Sequence, residues 1–229
     1  MVALALLLTA CHSRVPGRVD ARDYDSFWLW AGVSPPAGKP PLALYLLDGE
    51  RLERGHGSYE IRRAGVPHLP TTKLWLVVRS DTMDWPAGAV DDLIARADRW
   101  AKAGNRVAGI QLDFDARTRH LDQYAAFLAG VRERLPKRYK LSITGLMDWS
   151  ANGDPKALGA LAGTVDEVVI QTYQGRTTIP GYDAYFAKMK GFPVPFKVGL
   201  VEGGQWFEPE GLRANPNFRG YVVFLTATR

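Results

Sequence analysis

The sequence predicts an α/β fold, a (β/α)8 TIM-like barrel with short or irregular helices in its first half. Eight short runs rich in Val, Ile, Leu, Phe and Trp recur at 27–33, 42–48, 73–79, 108–115, 141–146, 167–174, 196–201 and 220–226. Most are continuously apolar, as strands buried on both faces are. Helix-like segments separate the later runs, and that alternation points to parallel βαβ units. A chain of 229 residues holds one such barrel, at the short end of a range that starts at roughly 200 residues.

Taken in order, the link 34–41 is rich in Pro and Gly and cannot hold a helix. Residues 49–72 have room for a short extra hairpin around 59–63 instead. The first convincing helix is 89–103, where Val90, Leu93, Ile94, Ala97 and Trp100 recur at helical spacing. Gly104 and Asn105 supply its stop. Further helices are expected at 120–135, 155–161 and 182–190.

Composition excludes several classes. The chain is 46% hydrophobic, 23% charged and 11% aromatic, which opposes disorder. One cysteine cannot form an internal bridge. No apolar run reaches the ~18–20 residues of a membrane span. The net charge is +5, but the densest basic cluster, Arg132, Arg134, Lys137, Arg138 and Lys140, is broken by Glu133 and Pro136. It reads as the solvated end of a helix, so no nucleic-acid partner is expected.

The first residues carry a different signal. Met1 to Leu8 is apolar, and Leu8-Thr9-Ala10-Cys11 follows directly. This resembles a bacterial lipobox, in which small residues precede a cysteine that becomes lipidated. The resemblance implies a signal segment at 1–10, a tether at 11–26 and a barrel domain at 27–229. It implies a membrane anchor at Cys11 in the bacterial cell envelope. His12 rather than Asp after that cysteine resembles sorting to the outer membrane, facing the periplasm.

Candidate chemistry gathers where apolar runs end, because a barrel brings the C-terminal ends of its strands to one rim. Asp48 and Glu50 close the second run, Arg79 and Asp81 the third, and Gln111, Asp113 and Asp115 the fourth. Asp148 and Trp149 follow the fifth, Gln171 and Tyr173 close the sixth, and Glu202 the seventh. Residues two apart on a strand share a face, with steps of roughly 6.5–7 Å. Gln111, Asp113 and Asp115 should therefore point together. Two carboxylates in a partly dry pocket repel, and one of them then holds its proton more tightly, as a general acid requires. A rim pair satisfied by Arg79, Arg117 or backbone amides would look the same, and the pattern alone leaves both readings open. Trp30, Trp85, Trp149, Tyr173 and Trp206 lie in or after the runs and offer flat apolar faces with a polar edge. The four histidines show no metal-ligand spacing, and no phosphate loop or serine elbow is present. No metal and no cofactor are expected.

The run from Ala108 to Asp115 is similar to the fourth-strand signature of glycoside hydrolase family 18, Asp-x-x-Asp-x-Asp-x-Glu. Ala108 and Gln111 stand at its first two Asp positions, Asp113 at the third and Asp115 at the final Glu. Tyr173 matches the tyrosine of that family's sixth-strand motif. With 27–32, 111–117, 171–176 and 220–225 as landmarks, the chain looks more like the bacterial domain of unknown function 3142, a glycosidase-like barrel. The resemblance implies a polysaccharide or oligosaccharide partner. It makes Asp115 the proton donor, Asp113 its electrostatic partner or the orienter of a substrate group, and Tyr173 a positioning residue. Gln111, Gln171, Trp30, Asp48, Arg79, Asp148, Trp149 and Glu202 would bind substrate. Asp115 is one methylene shorter than Glu, which sets a proton donor about 1 Å back and costs roughly 10²-fold if uncompensated. Three readings follow: an envelope-anchored glycoside hydrolase, a non-catalytic carbohydrate-binding barrel, and a structural envelope lipoprotein.

Overall fold

The computed structural model describes residues 17–226. Cys11 and the expected signal segment lie outside the described residues. Eight strands form the barrel: β1 (Ser26–Leu29), β2 (Ala43–Arg51), β3 (Lys73–Ser80), β4 (Arg106–Asp113), β5 (Lys140–Leu146), β6 (Glu167–Gln171), β7 (Phe196–Val201) and β8 (Phe218–Leu225). Each pairs in parallel with the next, and β1 joins β8 to β2, so the sheet closes. The helices are α1 (Ala89–Lys102), α2 (Leu121–Arg134), α3 (Trp149–Asn152), α4 (Pro155–Thr164) and α5 (Tyr182–Ala187).

Strand alternation divides the apolar residues into two cores. Outward-facing Leu44, Leu46, Leu74, Leu76, Ile110, Leu112 and Ile143 pack in the layer that also holds Leu93, Trp100 and Leu128 of the helices. Trp28, Tyr45, Leu47, Trp75, Val77, Val169, Val222 and Phe224 fill the barrel. Inside, Trp28 stacks on Phe224 with ring centres 5.1 Å apart, and Tyr45 stacks on Trp75 at 5.6 Å.

A chain of hydrogen bonds also crosses the interior. Trp28 Nε1 donates to Gln111 Oε1 at 3.0 Å, and Gln111 Nε2 donates to Ser142 Oγ at 2.9 Å. Ser142 Oγ donates to Glu167 Oε1 at 3.2 Å, which also accepts from the Tyr45 hydroxyl at 2.6 Å. Lys197 Nζ lies 3.8 Å from the other oxygen of Glu167. Each polar group is thereby answered, which burial demands.

Two register shifts set what faces the rim. Between Leu74 and Trp75 of β3 the pairing skips Ala108, and Gly109 then passes so close to β5 that a Cβ would lie 1.9 Å from the Lys140 carbonyl oxygen. On β2 the pairing skips Asp48. That bulge turns Asp48 outward and Glu50 inward, opposite Arg79.

The helices of the first half are reduced, as expected: before α1 the links carry only 3-10 turns among the described residues. The link from β1 to β2 has no helix, and Tyr59–Ile61 pairs antiparallel with the end of β2. Arg51 fastens this hairpin. Its buried guanidinium donates to the Gly57 carbonyl at 2.7 Å and lies between the rings of Tyr59 and Trp85, at 5.1 and 5.2 Å.

Some boundaries differ from expectation. β1 ends at Leu29, where the sequence suggested 33, and Tyr173 leaves the sixth strand after Thr172 to pair within a small hairpin. Part of the expected tether lies on the barrel: Gly17–Arg18 pairs with Gln205–Trp206, and Val19 and Ala21 are buried. The polar composition of that segment hid these two small apolar anchors.

Replacing Gln111 by Met keeps volume but strands the Trp28 indole N–H. We expect a loss of about 1–3 kcal/mol, read as a lower midpoint in denaturant unfolding.

Candidate functional site

The end of β4 places Asp113 one inward step above Gln111, opposite Arg79 of β3. Thr144, one step above Ser142 on β5, donates from its hydroxyl to Asp113 Oδ1 at 2.8 Å. Asp113 forms part of a cleft of about 690 Å3 that also holds Glu50, Arg79, Asp115, Arg117 and Arg119. Burial pushes the Asp113 carboxyl up to about 6, with the charges of Asp115 and Glu50 adding to the rise. The Thr144 hydroxyl and Arg79 oppose it. Asp113 therefore exchanges its proton near neutrality, while the side chain reaches a solvent-filled cleft.

β4 ends at Asp113, and Asp115 stands exposed on the following loop in the same cleft. Between them Phe114 turns to the helical layer, its ring 5.1 Å from Tyr124 of α2. Asp113 and Asp115 line one cavity, although Asp115 lies past the end of the strand on which a shared face was expected. Tyr173 packs on Phe224 at 4.9 Å. Burial, and then the charges of Asp113 and Asp115, raise its phenol well above the usual range. It stays protonated beside the two acids.

Trp30 forms an exposed lip, edge-on to Trp28 at 4.9 Å, with the Arg79 guanidinium 5.7 Å from its ring centre. Arg79 also lies 3.6 Å from Glu50, whose carboxylate is held by Arg62 at 2.6 Å. Gln171 is half-buried and, by strand alternation from Glu167 and Val169, faces the mouth.

Other expected binding residues lie elsewhere. Gln111 is fully buried below Asp113, with both ends of its amide spent on Trp28 and Ser142. Asp48 faces α1 through the bulge, where it accepts from Tyr59 and pairs with Arg96. Trp149 is buried and donates to the Ala116 carbonyl at 3.0 Å, so it braces the loop after β4 instead of stacking on a ligand. Asp148 accepts from the Thr118 hydroxyl and ties the same loop to β5. Glu202 is exposed in a separate groove with Arg18 and Arg176. Trp206 is spent on Tyr182, 4.6 Å away, and Trp85 is half-buried against Phe127.

Sequence reasoning passed over Glu50 in favour of Asp48. The two are equivalent in parity, and only the bulge, marked by Gly49 whose Cβ would meet the Tyr59 ring at 2.4 Å, separates them.

Solved structures resemble this barrel. The chitinase domain of the spore coat protein CotE from Clostridium difficile is 13% identical with a TM-score of 0.53, over 86% of this chain and 68% of that one. The tamarind chitinase-like lectin is 12% identical with a TM-score of 0.51, over 80% and 84%. The Bacillus cereus spore cortex-lytic enzyme SleL is 20% identical with a TM-score of 0.48, over 70% of this chain but only 43% of its own. At such identities the likeness is one of fold, and this chain spans less than half the length of that enzyme. No curated protein matches the sequence. From Arg79 on β3 through Asp113 and Tyr173 to the end of α5, residues 79–188 match the model of the family described as Domain of unknown function (DUF3142), the family that the landmark residues resemble.

Proposed function

We propose that this chain cleaves a glycosidic bond in a polysaccharide or oligosaccharide, with Asp113 as the proton donor and Asp115 as the second carboxyl group of the site. The observation that carries the reading is the Asp113 carboxyl, pushed up to about 6 at the base of an open cleft on the C-terminal face of a glycosidase-like barrel. Glycoside hydrolysis takes one carboxyl that keeps its proton and one that does not. Burial under Thr144 supports the first role for Asp113, and exposure in the same cleft supports the second for Asp115. This assignment reverses the order implied by the family 18 resemblance. Tyr173, protonated and close to both acids, is suited to donate to a substrate oxygen.

A second reading, glycan binding without turnover, is favoured by one observation: the Asp115 side chain has no hydrogen-bond partner among the described residues to hold it in place. Catalysis needs such positioning.

The same assay separates the two. Wild type, Asp113→Asn and Asp115→Asn are incubated with glycan oligomers, and products are followed by mass spectrometry. Loss of turnover by about 10²–10⁴-fold in each variant is expected; equal turnover in all three sinks the assignment, and binding by wild type without products favours the second reading. Because the acid form of Asp113 is the active one, kcat/KM should fall about tenfold per unit as pH rises above about 6.

The raised proton affinity also makes a stability statement. The folded state binds the Asp113 proton more tightly than the unfolded chain, so stability declines as pH rises from about 4 to 6. Asp113→Asn should gain about 3 kcal/mol over wild type at pH 7–8 and almost nothing at pH 4, measured by thermal melts across pH.

We further infer export and lipid attachment at Cys11, supported by the apolar run and the small residues before it. Metabolic labelling with a radioactive fatty acid should mark the wild type and not Cys11→Ser.

A further inference from the structure

We infer that the glycan taken by this cleft is anionic, bearing carboxylate or sulfate groups that Arg79, Arg117 and Arg119 bind. The inference rests on the glycan reading above and narrows it to a charge class.

The cleft is lined by four guanidinium groups, of Arg54, Arg79, Arg117 and Arg119, set beside the carboxyl groups of Glu50, Asp81, Asp113 and Asp115. Of the rings at the cleft, Phe114 is packed on Tyr124, His120 meets Arg119, and Trp30 at the lip lies beside the Arg79 guanidinium. Neutral sugars are held largely by stacking on flat apolar faces with a polar edge. Arginine instead offers a planar fork of donors that matches the two oxygens of a carboxylate or sulfate.

The arginines are also available. The Arg117 side chain makes no hydrogen bond or ion pair among the described residues. Arg119 Nε donates to His120 Nε2 at 3.1 Å and its side chain has no acid partner among the described residues. Neither lies within ion-pair distance of Asp113 or Asp115. Glu50 of β2 is shared between Arg62 at 2.6 Å and Arg79 at 3.6 Å, and Asp81 accepts from the Glu53 amide, so the free cations of the row, among the described residues, are Arg117 and Arg119.

The row is held in place by its neighbours. Thr118, between the two loop arginines, is fastened to Asp148, while Arg117 and Arg119 are themselves exposed. Arg79 is steadied between Glu50 and the Trp30 ring. A stretch of cations thus runs from the end of β3 to the loop after β4, beside the two acids, and the net charge of +5 favours approach of a polyanion.

Binding by titration calorimetry of the full chain to three probes tests this: a polyuronate oligomer, a sulfated glycan oligomer and a neutral N-acetylated amino-sugar oligomer. The expected result is binding of an anionic probe that weakens as salt rises, with Arg117→Gln/Arg119→Gln weaker by about tenfold or more and unchanged in melting temperature. A preference for the polyuronate or for the sulfated oligomer identifies the source of the anion, and either supports the inference. Equal binding of the neutral oligomer, untouched by the double variant and by salt, overturns it while leaving the glycan reading intact. Binding of none of the three overturns both.

Discussion

A chain of hydrogen bonds crosses the barrel interior, and the position of the Asp113 carboxyl depends on it. Gln111 bridges Trp28 and Ser142, and so ties β4 to β1 across the barrel and to β5 beside it. A strand repeats every two residues. Once Gln111 and Ser142 are level, Asp113 and Thr144 must be level one step above, which is where their hydrogen bond forms. Below, Glu167 collects Ser142, Tyr45 and Lys197. Each member is answered by another, so the network stays dry, and that dryness is what raises the proton affinity of Asp113.

The mouth above this network is lopsided. On one side Trp28, Phe224 and Tyr173 are in ring contact and occupy the space. On the other, the ends of β2, β3 and β4 carry charged groups and the loops stand back. The helix-poor first half of the fold has a part in this. Where a longer link would carry a helix, the hairpin Tyr59–Ile61 instead lies against the end of β2, and Arg62 beside it holds Glu50 in place. Buried Arg51, between two rings, keeps that hairpin on α1 and the barrel.

How much of this was legible in the sequence follows from what periodicity can express. All eight strands were visible because strands buried on both faces are apolar throughout. The same continuity hides which residues point inward, since no polar alternation marks the two faces. Gln111 therefore read as a rim residue although it is buried, and Trp149 read as a platform although its indole holds a loop carbonyl. The bulge at Asp48 was invisible for a different reason: a one-residue slip in pairing leaves composition unchanged yet puts Asp48 and Glu50, which would otherwise share a face, on opposite faces. Asp113 and Asp115 were found because their spacing at a strand end is a local property. Their unequal burial is not local; it arises from Thr144 and the rings of other strands.

That inequality and the arginine wall are electrostatically consistent with each other. In the free protein Arg79 is the cation that opposes protonation of Asp113, against the combined effects of burial and of Asp115 and Glu50. An anionic group bound at Arg79 would compensate that cation and displace water from the cleft. Both changes disfavour the carboxylate form of Asp113. The ligand would then strengthen the hold on the proton that its own cleavage consumes, whereas a neutral sugar would supply only the loss of water. Under the proposed reading, arginines beside a partly buried acid would couple recognition to the protonation state that the chemistry needs.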